Sequence, residues 1–360
     1  MLIDFNKGQE TFNKFAGSEA KTTVAYDGEV YMIKYPDPIR EKKNVLSYMN
    51  NQYSEHIGCS IFRSCGMKTQ DTALGYYTDI NGKKKIVVGC KDFTIDGAKL
   101  YEFSKFGHQI LVEGKPGVSI ESVVEVVNRS SLIKDKEATL EKFWDMFVID
   151  ALIGNSDRHF DNWGILVKED DVSFAPVYDC GSALAALLSD EQMEELMRNP
   201  VAFKNEEYNV FSCYYMDGKR IFYHGIFQSP PEKLEEAIKR IVPKIDMGKV
   251  HSIIDSVPGM SDTRKKYLKS AVDIRYEQIL APALRRLLKR DKKLEEKPSA
   301  ESPAQQTLVP QEESSKDQTP QNKPSFANRM ARAKQQVTKE ESENRDRGIL
   351  KKNKKDSPDR

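Results

Sequence analysis

Apolar and polar positions are patterned most regularly in the first 95 residues. The stretch TTVAYDGEVYMIKY sets two runs rich in β-branched and aromatic residues around Asp27-Gly28. That dipeptide suits the positive backbone angles of a two-residue turn, so the spacing predicts a hairpin. A register follows: Ala25 faces Val30, Thr23 faces Met32 and Lys21 faces Lys34, all on one side of the sheet. ALGYYTDINGKKKIVVGC repeats the form around Asn81-Gly82. Between the hairpins, Val45, Leu46, Met49, Tyr53, Ile57, Ile61 and Phe62 recur at helical spacing, and Gly66 suits the left-handed end of that helix.

After Phe93 the period changes. Leu140, Phe143, Trp144, Phe147, Val148, Ala151 and Leu152 predict a buried helix over residues 138–153. Two short apolar runs, 163–167 and 172–177, flank a turn-like KEDD and predict a small hairpin. Beyond Asp190 the patterns predict helices over 191–198, 231–241 and 262–289, the last with a break at Pro282. From Asp291 the chain is mostly Lys, Glu, Gln, Ser, Pro and Asn, with Phe326 its one aromatic residue. Such a segment buries too little apolar surface to offset its ordering entropy. The expected architecture is α+β and bilobal. An antiparallel-sheet N-lobe occupies residues 1–94, a mainly helical C-lobe 95–290, and a disordered polar tail 291–360. Within the tail, ANRMARAKQQ (327–336) is a solvated charge run or a short basic helix for a partner.

Composition acts by exclusion. Apolar residues are 39% of the 360 positions and charged ones 31%, with a formal net charge of +1. That balance gives no global field for nucleic acid or a membrane surface, so the core is expected to bind no nucleic acid directly. The five cysteines are scattered, odd in number and without C-x-x-C. They suit a reducing cytoplasm rather than a disulfide framework or structural zinc. No apolar run approaches the roughly 20 residues of a membrane span. MLIDFNKGQE lacks the basic start and apolar stretch of a signal peptide. A cytoplasmic location is expected, with signal-independent secretion left open.

The chemistry concentrates in GNSDRHFDNWGIL. Asp157 and Asn162 stand five apart, and Asp179 follows the second short run in YDCGS. A strand–turn–strand unit can hold all three around one point. Phosphoryl transfer needs such a set: one carboxylate for the acceptor hydroxyl, an amide and a second carboxylate for magnesium. The plain alternative is a loop of Asx turns. In the first lobe, Lys34 can reach a phosphate if its side of the sheet covers the cleft. Glu55 either pairs with Lys34 or lies on a solvated helix face. FAGSEAKTT offers Gly17 and small neighbours such as Ser18 whose backbone amides can approach phosphates. It is not a Walker A loop. VVGCKDF places Cys90, Lys91, Asp92 and Phe93 where a hinge backbone would meet adenine. His159 either touches phosphates, orients Asp179 or braces the loop. Arg158 is expected in local ion pairs, and Cys180 as a small filler.

GNSDRHFDNWGIL resembles the N-x-D-x-H-x-x-N loop of HipA-like kinases, and the D-R-H-x-x-N loop of the distantly similar phosphatidylinositol kinases. FAGSEAKT resembles the family's G-x-x-x-K-T segment, and YDCGSAL stands where its metal-binding aspartate lies. The likeness runs from about Thr11 to Lys289 and is strongest to compact, stand-alone members. It implies an ATP- and Mg2+-dependent serine/threonine protein kinase, related to the toxins of bacterial persistence modules. Asp157 takes the place of the base, Asn162 and Asp179 of the magnesium ligands, Lys34 of the phosphate-binding lysine, and 90–93 of the hinge. The partners implied are an unspecified protein substrate and a cognate antitoxin or inhibitor. Autophosphorylation would fall on Ser18, Thr22 or Thr23. A lipid or small-molecule kinase and a non-catalytic pseudokinase scaffold are the alternatives.

Overall fold

In the computed structural model, residues 2–11, 21–36, 50–78, 82–107 and 118–295 are described. Gly17, Ser18, Val45, Leu46, Met49, Asn81 and the segment 296–360 lie outside them. The described residues belong to one compact unit, Met1–Lys297.

Two short strands, β1 (Ile3–Asp4) and β2 (Gln9–Thr11), precede the first hairpin. That hairpin joins β3 (Lys21–Tyr26) to β4 (Glu29–Lys34) through Asp27 and Gly28 at φ 51° and 77°. The left-handed pair is what a tight turn between twisted strands requires. Lys21 lies opposite Lys34, Thr23 opposite Met32 and Ala25 opposite Val30. The helix α1 (Asn51–Ser64) buries Tyr53, Ile57, Ile61 and Phe62, and Gly66 ends it at φ 86°. β5 (Thr72–Thr78) and β6 (Lys84–Lys91) then pair antiparallel.

The six strands form one sheet in the order β1-β5-β6-β4-β3-β2. Its two edges are therefore joined by residues 5–8 alone. The steps from Asp4 to Gln9 cover at most roughly 17 Å, whereas flat strands would hold the edges roughly 24 Å apart. The sheet must curl until its edges approach. Tyr77 on β5 donates its hydroxyl to Glu10 on β2 across the seam. Phe5 fills the inside, fully buried with Val24, Ile33 and Val87. A Cβ on Gly75 or Gly89 would fall within 2.6 Å of that ring. Glycine at both positions makes room for it.

The second lobe begins with β7 (Lys99–Glu102), α2 (Phe103–Gly107), β8 (Val118–Ser119) and α3 (Ile120–Arg129). The central helix, α4 (Lys136–Ile153), is buried on every side from Phe143 onward, as the mostly apolar second half of the helix demands. β9 (Gly164–Lys168) and β10 (Asp171–Phe174) form the expected hairpin, to which β7 adds a third strand. β10 ends earlier than the apolar run suggests, because Pro176 cannot donate to a ladder. Val177 instead bridges to the first lobe. Its N–H donates to the Lys68 carbonyl at 2.9 Å, and its carbonyl accepts from the Gln70 N–H at 2.8 Å.

Helices α5 (Asp190–Arg198) and α6 (Pro200–Tyr208) follow, then a second hairpin that the helical pattern beyond Asp190 does not anticipate. It comprises β11 (Phe211–Met216) and β12 (Lys219–Phe222), turning at Asp217-Gly218 with φ 52° and 73°. The described residues close with α7 (Tyr223–Gln228), α8 (Glu232–Ile241), α9 (Met247–Asp255), α10 (Asp262–Arg275) and α11 (Ala281–Glu295). Between the last two, Tyr276–Leu280 forms a π-turn. Pro282 removes one N–H and crowds the carbonyl four residues back; the widened turn before it absorbs the conflict without ending the helix. α11 also runs past residue 290, where Asp291 pairs with Lys239.

Candidate active site

Three elements converge on Lys34. The last residue of β4, it is 5% exposed. Its ammonium donates to Glu55 Oε2 at 3.1 Å and to Asp179 Oδ1 at 2.8 Å. Glu55 sits on α1 and is wholly buried. Its other oxygen accepts the Cys180 N–H at 3.1 Å and faces the Cys59 thiol at 3.7 Å. The helix reaches this depth because Gly58 has no side chain: a Cβ there would lie 2.5 Å from Cys180 Cβ. Gly181 likewise allows approach, since a Cβ there would lie 3.3 Å from Glu55 Oε2. Glu55, Cys59 and Cys180 are close enough to enclose a metal ion. Lys34 on one flank and the Arg158 guanidinium, 3.4 Å from Cys180 Sγ, on the other crowd that point with positive charge instead.

Asp179 takes a left-handed conformation, φ 58°, which non-glycine residues seldom adopt. Burial alone would raise its pKa. The Lys34 ammonium outweighs that and holds the carboxyl below its ordinary value.

The loop after α4 supplies the rest. Gly154 ends the helix at φ 66°, packed against Arg275, which donates to the Leu152 carbonyl at 2.7 Å. Asn155 is fully buried. It donates to Asp150 at 2.9 Å and accepts the Asp157 N–H at 3.0 Å. Asn162 donates its amide to the Asp157 carbonyl at 2.6 Å. That commits its nitrogen and leaves Oδ1 as an acceptor. The carboxyl of Asp157 is part-exposed. Burial, opposed by His159 and assisted by Asp179, lifts its pKa above the usual carboxylate value. His159 Nδ1 accepts the Asp161 N–H at 3.2 Å, which puts the proton of a neutral ring on Nε2, 3.9 Å from Asp157 Oδ1. Asp161 is turned aside, accepting from Ser104.

The structure thus gathers Lys34, Glu55 and Asp179 in direct contact, and Asp157, His159 and Asn162 in one loop. The stretch 90–93 contributes differently. Cys90 is a core residue, and the Lys91 ammonium pairs with Glu29 at 2.7 Å. The Lys91 backbone donates to Asp71 and accepts from Gln70, and the Asp92 N–H donates to Val30. Asp92 folds its carboxylate onto Thr94, and Phe93 packs on Tyr178 with ring centroids 5.9 Å apart.

Arg158 makes the local ion pair expected of it, but the sequence reading missed its depth: it is a buried junction, 1% exposed, bidentate to Asp150 at 3.0 and 3.1 Å. A signal was present: Asp150, like Asp145, is an acid within the buried second half of α4, and each requires a cation to pair with. Tyr178 is a second omission. Its hydroxyl donates to the Asp161 carbonyl at 3.0 Å, linking the Phe93 side to the loop.

The donor set fits a hard divalent cation. Asn162 Oδ1 and the deprotonated Asp179 carboxylate are oxygen ligands of the kind magnesium prefers.

Comparison with known proteins bears on the family and the fold. The HipA-like C-terminal domain family matches residues 14–248. The serine/threonine-protein kinase CtkA of Helicobacter pylori is 35% identical over 274 residues, covering 74% of this chain and 82% of that protein. The crystal structure of a Helicobacter pylori proinflammatory kinase CtkA superposes with a TM-score of 0.74 at 33% identity, covering 81% of this chain and 99% of the other. HipA of Shewanella oneidensis, solved with HipB and operator DNA, gives a TM-score of 0.47 at 16% identity, over 76% of this chain and 67% of that one. Among the described residues, no helix is long and apolar enough to cross a membrane.

Proposed function

This chain belongs to the HipA-like family, and from that premise we propose that it is an ATP-dependent serine/threonine protein kinase that also phosphorylates itself. The observation that carries the reading is the Lys34 ammonium held between Glu55 and Asp179. In this reading Lys34 neutralises the phosphates of ATP, and Glu55 keeps it extended into the cleft. Asp157 accepts the proton of the substrate hydroxyl as its oxygen attacks the γ-phosphorus. The bond from phosphorus to the β–γ bridging oxygen breaks, and ADP leaves. Magnesium, held by Asn162 and Asp179, would offset charge on the phosphates. The hinge contributes through the Phe93 backbone, since Cys90 is in the core and the Lys91 and Asp92 N–H groups are donated to Asp71 and Val30. Of the self-target hydroxyls, Thr23 is 1% exposed within β3, whereas Thr22 beside it is half-buried and the better placed of the two; Ser18 lies outside the described residues.

Incubation of the full chain with labelled ATP and magnesium, followed by phosphosite mapping, tests this. Phosphoserine or phosphothreonine, absent from Asp179→Asn, is the expected outcome. Label found only on lipid or a small molecule would move the acceptor class. No transfer at all, together with no nucleotide binding, would overturn the reading.

A further inference from the structure

One atom touches the backbone of both magnesium ligands. Arg158 Nη1 donates to the Asn162 carbonyl at 2.8 Å, to the Asp179 carbonyl at 3.1 Å and to the Tyr178 carbonyl between them. The other end of the guanidinium is clamped by the Asp150 carboxylate through Nε and Nη2. Asp150 is itself fixed within α4 and by the Asn155 amide. A planar fork with five donors is the one side chain that can span a carboxylate on one side and three carbonyls on the other.

We propose that Arg158 is a positioning residue that sets the separation of Asn162 and Asp179, and with it the metal affinity of the site. The inference rests on the kinase reading above. A buried ion pair by itself is weak support for stability, because desolvation of both charges offsets their attraction. The geometry at Asp179 gives Arg158 a more specific task. Asp179 has φ 58°, a costly conformation for a residue with a side chain. With its carbonyl held on Nη1, its carboxylate reaches Lys34 at 2.8 Å. Asn162 is held the same way, carbonyl to Arg158 and amide nitrogen to Asp157, so its Oδ1 is left for a cation. Lysine in place of Arg158 keeps a positive charge facing Asp150 but has no fork, so the two loops lose their common tie.

Arg158→Lys tests this in the full chain. Mn2+ serves as the metal probe, followed by electron paramagnetic resonance in the presence of a non-hydrolysable ATP analogue. Loss of a residue that orients metal ligands typically weakens binding about 10–100-fold, and that fall is expected for Mn2+. Binding of the analogue alone, in EDTA, is expected to stay at the wild-type level. Arg240→Gln is the control: it opens the pair with buried Asp145, between α4 and α8, and should lower the melting temperature without moving the Mn2+ constant. Asp150→Asn loosens the clamp while retaining the arginine, and serves if Arg158→Lys folds poorly; a smaller loss of Mn2+ affinity is expected. Unchanged Mn2+ affinity in the folded variants, or an equal fall in Arg240→Gln, overturns the positioning role. If the wild-type chain binds neither analogue nor Mn2+, the kinase reading itself fails.

Discussion

At the residue scale, Asp157 carries the sharpest expectation. Burial raises its carboxyl above its ordinary value, so the ionised form is disfavoured in the folded state. The sign follows. The resulting penalty on stability is present at pH above the raised value and vanishes as pH falls below the unfolded value of ~3.9. Asp157→Asn removes that penalty, so at neutral pH it should melt no lower than the wild type while still binding ATP. Transfer should fall about 10²–10⁴-fold, the usual worth of a general base. The wild-type rate should decline on the acid side at a pH above that of an unperturbed aspartate. Asp161→Asn, whose carboxylate faces Ser104, should keep most of the rate. The reverse ranking of the two variants would place the base elsewhere. Lys34 behaves differently because one of its partners, Glu55, is wholly buried. Lys34→Met leaves Glu55 as an uncompensated buried charge, at a cost of about 3–5 kcal/mol. Lys34→Met with Glu55→Gln should recover much of that stability and none of the activity. Calorimetry and a transfer assay on the two variants separate the electrostatic from the catalytic contribution.

At the element scale, close approach is what the site depends on. α1 meets the Asp179 loop at Gly58, where a methyl group would sit 2.5 Å from Cys180 Cβ. Gly58→Ala should push the helix outward, lengthen the Lys34–Glu55 contact and reduce turnover more than it reduces the melting temperature. The curled sheet has the same sensitivity at Gly89. A methyl there meets Phe5 at 2.4 Å, and such overpacking costs about 1–3 kcal/mol. A melting curve of Gly89→Ala that overlays the wild type would show that Phe5 has room to move. These contacts mark where sequence reading runs out. The first hairpin, its register and the buried α4 were legible, because each follows from local period and turn chemistry. Asp157, Asn162 and Asp179, two acids and an amide, were singled out by their spacing and by the short run before Asp179. β7, α6 and the Asp217-Gly218 hairpin were not assigned, although that turn carries the same Asp-Gly signal as the first. The curl of the sheet depends on β1 and β2 reaching opposite edges, and no local pattern encodes that. Arg158 read only as a maker of local ion pairs because its partners lie on three separate segments, at 150, 162 and 178–180.

At the scale of the whole molecule, the question is where the folded unit must end. Among the described residues, α11 is the last element with buried residues, Ala283 and Leu287, and it continues to Glu295. Its Arg290 pairs with Glu235 and its Asp291 with Lys239, both on α8. α8 in turn packs on α4, whose C-terminal end feeds the loop holding Asp157. A chain ending at Glu295 keeps every one of these contacts. The residues it removes are strongly polar, so little apolar burial can be lost with them. Its melting temperature should stay within a few degrees of the full chain, with self-phosphorylation retained. Ending at Arg290 removes the partly exposed Asp291–Lys239 pair, worth about 0–1 kcal/mol, and should change melting only slightly further. Ending at Leu280 is the informative cut. It strips Ala283 and Leu287 from the core, and deleting buried aliphatic side chains costs about 2–5 kcal/mol for each large one. Cooperative unfolding should then weaken or disappear. If the Leu280 chain melts like the Glu295 chain, α11 is an appendage and the folded unit is shorter than its contacts imply. If the Glu295 chain melts normally but no longer phosphorylates itself, residues beyond 295 take part in presenting the acceptor rather than in folding.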